Sequence, residues 1–127
     1  MTIAAPYEAL VAELKSLRAR VMGVNETVIS TADGLLVAAD TATAQPESVA
    51  ALAAASLGLG RRTAAEVGLF GLANVVTRCT GGYVVVLAVG DHALLAILAD
   101  DGLDLPGLDR ETPGTVDRLL SLLTSAA

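Results

Sequence analysis

Side chains able to do chemistry are scarce, and the densest group lies in "GDHALLAILADDG", Gly90 to Gly102, with Asp91, His92, Asp100 and Asp101. An acid beside the sole histidine suggests proton transfer, since imidazole is the commonest general base. Asp91 and His92 are sequence neighbours inside a tight-turn signal, however, and such neighbours seldom orient as a base and its positioning acid. No serine sits in a G-x-S-x-G elbow to act as nucleophile. Asp100, Asp101, Asp104 and Asp109 crowd one stretch but lack the alternating D-x-D-x-D-G spacing that wraps calcium. They read as a solvated acidic loop. "GLGRR", Gly58 to Arg62, has a G-x-G without the third glycine, the preceding strand or the G-K-[ST] of a phosphate-binding loop. Cys79 has no second cysteine and no histidine partner, which supports neither zinc nor a thiol nucleophile, and it reads as a buried structural cysteine. No catalytic, cofactor-binding or metal-ligating set emerges. The expectation is a protein that is not an enzyme and needs no cofactor.

The totals point the same way. A chain of 127 residues fits one domain, 1–127, large enough for its own core. A net charge of -6 argues against nucleic acid and against a polybasic membrane anchor. Hydrophobic residues make up 54% and charged ones 17%, and the mean hydropathy is +0.63. Every apolar run nevertheless stops short of the ~20 residues a membrane-spanning helix needs. A small, apolar chain of this kind is expected to hide part of its surface against a partner. The lone cysteine and the absence of a signal-peptide pattern predict a cytoplasmic protein. Lys15 is the only lysine among eight basic residues, a bias of GC-rich bacterial genomes.

Hydrophobic spacing then places the elements. Tyr7, Leu10, Leu14, Leu17 and Val21 share one helical face, and Gly23 ends that helix. Strands follow at Glu26–Ser30 and Leu35–Ala39, joined by a hairpin at Asp33-Gly34. A long helix over 46–67 opens on Pro46. Strands are predicted at Val75–Cys79, Tyr83–Val89 and Ala93–Ala99. The last two are apolar without alternation, so both their faces should be covered, while the first is more polar and suits an edge. Thr112 and Pro113 open a short final helix after the acidic loop. The fold class is α/β (α+β): a single five-stranded antiparallel sheet between helices, in the order helix-β-β-helix-β-β-β-helix.

The middle helix is the most informative. Val49, Leu52, Ala53, Ser56, Gly60, Ala64 and Val67 form a stripe expected to face the sheet. The other side carries Ala51, Ala54, Ala55, Gly58 and Ala65, with Arg61, Arg62 and Glu66 only towards the end. A helix that is small and apolar nearly all round is usually buried on two sides. The second side suits a helix from another copy.

"TADGLLVAAD" (Thr31 to Asp40), "GGYVVVLAVGD" (Gly81 to Asp91) and "ALLAILAD" (Ala93 to Asp100), in this order around an Ala-rich helix, resemble the Roadblock family. That family includes roadblock-type dynein light chains and many bacterial proteins, and the GC-rich bias fits its actinobacterial branch. The resemblance runs from about Tyr7 to Leu123. It implies the profilin-like Roadblock fold and a homodimer in which the third strand pairs with its twin and the second helices pack antiparallel. By position, Val75, Thr77 and Cys79 would lie at the strand junction, and Ala54, Gly58, Arg61 and Ala65 at the helix junction. It further implies a non-enzymatic regulator or scaffold of a small Ras-like GTPase, in some systems alongside a histidine-kinase-like signalling protein. Arg61, Arg62 and Glu66 are nominated as partner contacts. The acidic loop over 100–111 and the short last helix set this chain apart from the family pattern. Rival readings are a structural dimerisation subunit of a larger complex, a small-ligand sensory module and, least supported, a hydrolase.

Overall fold

A computed structural model describes residues 4–125. Its elements are α1 (Ala4–Arg20), β1 (Val24–Thr31), β2 (Leu36–Asp40), α2 (Pro46–Glu66), β3 (Val75–Cys79), β4 (Gly82–Val89), β5 (Ala93–Asp100) and α3 (Leu105–Ser125). The strands form one antiparallel sheet in the order β2-β1-β5-β4-β3. The expected class, element order and hairpin are present. Gly34, in the hairpin, has φ +98, which explains the preference for glycine there. Among the described residues no helix is long and apolar enough to cross a membrane.

Alternation along β4 and β5 sends side chains to two unequal layers. Val85, Leu87, Leu95 and Ile97 point to the face covered by α1 and α3, where they meet Leu14, Leu17 and Leu119. Val86, Leu94 and Ala96 point to the other face, where α2 supplies Ala50, Ala53 and Leu57. Each fully buried Leu or Ile contributes roughly 1.5–3 kcal/mol, and an alanine far less. The α1/α3 layer therefore holds the sheet firmly, whereas α2 rests on a thin, alanine-rich seat. Arg118 bonds Glu13 at 2.8 Å between α3 and α1, and Arg18 bonds Asp40 at 2.7 Å between α1 and β2. Both pairs are partly exposed and add little individually.

Two expectations need correction. Tyr7 heads the predicted core stripe of α1 but is 50% exposed, beyond the edge of the packed layer. The predicted loop over 100–111 is largely helix, and α3 is 21 residues long rather than short. Its cap is Asp104, whose Oδ1 accepts the N–H of Gly107 at 3.0 Å, as an Asp three residues ahead of an orphan helix donor should. Thr112-Pro113 looked like a helix start because proline favours the first turn. Here Pro113 lies inside the helix, on its exposed side.

These assignments separate experimentally. Asp104→Ala is expected to lower unfolding stability by about 1 kcal/mol in urea titration, while Thr112→Ala, mid-helix, changes it by less than half as much. Thr27 Oγ1 is buried with no hydrogen-bond partner among the described residues. Thr27→Val should therefore raise stability, by about 1 kcal/mol, because the orphaned hydroxyl goes while the branched strand-former stays.

Candidate functional site

The two edges of the sheet are treated very differently. β2 packs against α1 as well as β1, and it ends on Asp40 held by Arg18. β3 pairs only with β4, and four of its five residues are exposed. Its outer row of N–H and C=O groups has no strand beside it, which is the situation that invites another chain. Register fixes what this edge shows. Val75, Thr77 and Cys79 stand opposite Val86, Val84 and Gly82, on the face covered by α2, while Val76 and Arg78 take the other face. Cys79 is exposed rather than buried, because it ends an edge strand that no helix covers.

α2 crosses the whole of this sheet face and touches every strand, and it is rotated from its predicted setting. The line seated on the sheet is Ala50, Ala53 and Leu57, with Ala54 half-buried beside it. Leu52 and Val67, expected inside, are 71% and 65% exposed. A helix apolar on every side gives the spacing rule no contrast to work with, and Leu57, its largest sheet-facing side chain, decides the setting. Gly60 sits where α2 crosses β3, and a Cβ there would lie 2.7 Å from Val75 Cγ2. The predicted junction residues Ala54, Gly58, Arg61 and Ala65 fall on the flank towards the β1–β2 hairpin, where Gly34 approaches Ala51 and Ala54. The flank towards β3 carries Val49, Leu52 and Ser56, which with Ala53, Thr77, Val84, Val86 and Leu98 line a groove of about 220 Å³.

The two ends of α2 are fastened differently, one by a side-chain carboxylate and the other by the backbone. Gln45 at the N-cap makes no side-chain capping bond. Instead Glu26, on β1, accepts the N–H groups of Ala42, Thr43 and Ala44 at 2.6, 2.9 and 3.0 Å and the Thr43 hydroxyl at 3.1 Å. These bonds, with the Ala44 amide foremost and Ala42 next, hold the Glu26 carboxyl at about 2, well below its ordinary 4.5, against an opposing push from desolvation. At the other end Leu69 N–H reaches Ala64 O at 2.8 Å and Gly68 N–H reaches Ala65 O at 3.2 Å. With Gly68 at φ +78 this is a Schellman cap. Gly71, at φ +68, then turns the chain towards β3.

The remaining candidates do not gather. Asp91 and His92 are exposed at the β4–β5 turn, and the His92 carbonyl accepts Ala32 N–H at 2.8 Å. Asp100 accepts Gly102 N–H at 2.8 Å within its own turn. Among the described residues no group of three or more His, Cys, Asp or Glu side chains is placed to hold a metal ion. Arg61, Arg62 and Glu66 are exposed near the C-terminal end of α2, and none takes part in an ion pair among the described residues.

An open edge strand beneath a two-faced helix invites comparison with proteins of known structure. Residues 10–99, from α1 to β5, match the model of the Roadblock/LC7 domain. The chain belongs to the Roadblock/LC7 family. No curated protein sequence matched it. Among solved structures, an MglB with a tetrameric arrangement superposes with a TM-score of 0.86 at 20% identity, over 97% of this chain and 93% of that one. A Roadblock/LC7 domain from Streptomyces avermitilis gives 0.83 at 24% identity, over 89% and 96%. The gliding protein MglB of Thermus thermophilus gives 0.80 at 20% identity, over 93% and 90%. α3 lies outside the matched family segment.

In this Roadblock chain the exposed apolar side chains cluster. Nine large ones are exposed among the described residues, and six of them, Leu52, Leu59, Val67, Leu69, Phe70 and Val76, lie on α2, the α2–β3 loop or β3. Phe70, the only phenylalanine, is 94% exposed. Sequence reasoning passed over it because a single aromatic in a glycine-flanked loop has no periodicity; "VGLFG" was the available signal. It also missed Glu26, whose partners lie 16 to 18 positions away.

Glu26 makes a pH test possible. Its folded pKa is depressed, so the clamp contributes fully above about pH 4.5 and is lost as pH falls towards 2. Glu26→Gln is expected to cost about 1 kcal/mol at neutral pH, a value reduced for solvent screening. In urea titrations the gap between wild type and variant should close across that window.

Proposed function

We propose that this Roadblock chain is a homodimeric, non-enzymatic platform that binds and regulates a small Ras-like GTPase. The observation that carries the dimer is the unpaired β3 edge running directly into an apolar groove beneath α2. An edge strand is antiparallel to its own twofold mate, so one symmetric contact satisfies both copies at once. It also covers Leu52 and Leu59, which are exposed on the flank of α2 towards that edge. The strand junction is then Val75, Thr77 and Cys79, as the family resemblance implies. On α2 the contact shifts from the Ala54, Gly58, Arg61 and Ala65 flank to the Leu52, Ser56 and Leu59 flank, which faces that edge.

The GTPase assignment rests on family membership and on the resemblance of the strand motifs, supported by a surface built for recognition rather than reaction. Arg61 and Arg62 project without an ion pair among the described residues. They suit long-range attraction to an acidic partner surface. No feature of the surface speaks for the histidine-kinase-like component, so the proposal ends at the GTPase.

Sedimentation equilibrium should show a dimer. Leu52→Asp should weaken it by roughly tenfold or more, and Gly58→Arg, which has open space around it, by much less. The immobilised dimer, challenged with host lysate containing GDP or a non-hydrolysable GTP analogue, should retain one Ras-like GTPase mainly in the GTP form. For that GTPase, Arg61→Ala/Arg62→Ala should slow association several-fold, more so at low salt. Recovery of the same non-GTPase protein in both nucleotide states would instead favour a structural subunit.

A further inference from the structure

We propose that Phe70 of one protomer fills the groove between α2 and β3 of its partner, so that each groove is completed only by the second copy. This inference rests on the homodimer proposed above and adds what the two copies exchange.

The direction of the chain makes the exchange geometrically natural. Ser56 and Thr77 line the same groove, and Gly60 sits over Val75, so α2 runs antiparallel to β3. The N-terminal half of α2 therefore roofs the Cys79 end of β3. Antiparallel pairing of β3 with its twin sets the Val75 end of one strand against the Cys79 end of the other, at a spacing of about 4.8 Å. The α2–β3 loop feeds directly into Val75. It is thereby carried to the end of the partner's strand where Val49 and Leu52 overhang the groove. Phe70 lies five residues before Val75, a contour of at most roughly 17 Å, so its ring stays close to the junction.

The two surfaces also match in character. Phe70 is 94% exposed and does not line the groove of its own protomer. The groove, of about 220 Å³, is walled by Val49, Leu52, Val84, Val86 and Leu98, with only the Ser56 and Thr77 hydroxyls polar. Nor is the loop a loose tether. The Schellman cap pins Leu69, and the Gly71 turn follows immediately, so an exposed ring is presented in a fixed place at small entropic cost. A preorganised aromatic entering an apolar pocket is the usual form of an interface anchor.

Phe70→Ala, Leu52→Ala and the double variant would be compared with wild type by sedimentation equilibrium, with circular dichroism to confirm folding. Phe70→Ala should raise the dimer dissociation constant roughly 10- to 30-fold. The double variant should be weaker than wild type by clearly less than the product of the single effects, as expected for groups in contact. In a Cys79→Ala background, Phe70→Cys with Leu52→Cys should form a disulfide between chains under mild oxidation, and Leu52→Cys alone should not. A wild-type dimer whose affinity is unchanged by Phe70→Ala would overturn the exchange and leave the homodimer standing. A wild-type chain that stays monomeric would overturn both.

Discussion

The unsatisfied hydrogen-bonding edge of β3 is the constraint around which the rest of this molecule is arranged. A central strand pairs on both sides and carries its apolar side chains inward, but β3 pairs only with β4 and is mostly exposed. Natural sheets usually blunt such an edge with charge, proline or a bulge. Here only Arg78 intrudes, and it points away from α2. The opposite edge, β2, is guarded by α1 and by the Arg18–Asp40 pair. Both outermost strands pair on one side only, but β3 is the more exposed of the two and is the edge more open to another strand. That asymmetry favours a closed pair over an open-ended stack.

The unequal layers follow from the same constraint. α1 and α3 press leucines into the sheet and are tied to each other by Arg118 and Glu13. α2 contributes mostly alanine to its seat and leaves Leu52 and Leu59 outside. Besides Ala50, Ala53 and Leu57 on the sheet, it is held by fastenings near its ends, Glu26 at one and the Gly68 cap at the other. Fixed ends and a lightly packed middle give a helix that holds its position while keeping an outer flank free for contact.

Much of this was legible in the chain itself, wherever contrast existed between apolar and polar positions. The unbroken apolar runs at Tyr83–Val89 and Ala93–Ala99 read as central strands, and Asp33-Gly34 as a turn. Thr77 and Arg78 marked β3 as an edge for the same reason. Contrast failed in α2, where alanine and leucine occur all round, and the core face was misplaced towards Leu52. It failed again before Thr112, where acidic residues and Pro113 masked a helix that Asp104 caps earlier. The candidate site was legible as a region, α2 with β3, and not as side chains. Which flank faces the edge depends on how a helix is turned over a sheet, and that is decided by tertiary packing. Glu26 and Phe70 act through chain segments distant or aperiodic in sequence, beyond the reach of spacing rules.

Strand order also dictates when each seam of the sheet can close. β1 with β2, and β3 with β4 and β5, are joined by short turns, so two local units can form from nearby contacts. The β1–β5 seam joins them and pairs Thr27 with Ile97, residues far apart along the chain. Closing it carries the largest loop entropy, so it is expected to be the slowest of the seams to form. The three-stranded unit already holds the open β3 edge before that seam is made. In the proposed dimer, subunit recognition and chain folding would draw on the same strand, and their order during synthesis becomes a matter of competing rates.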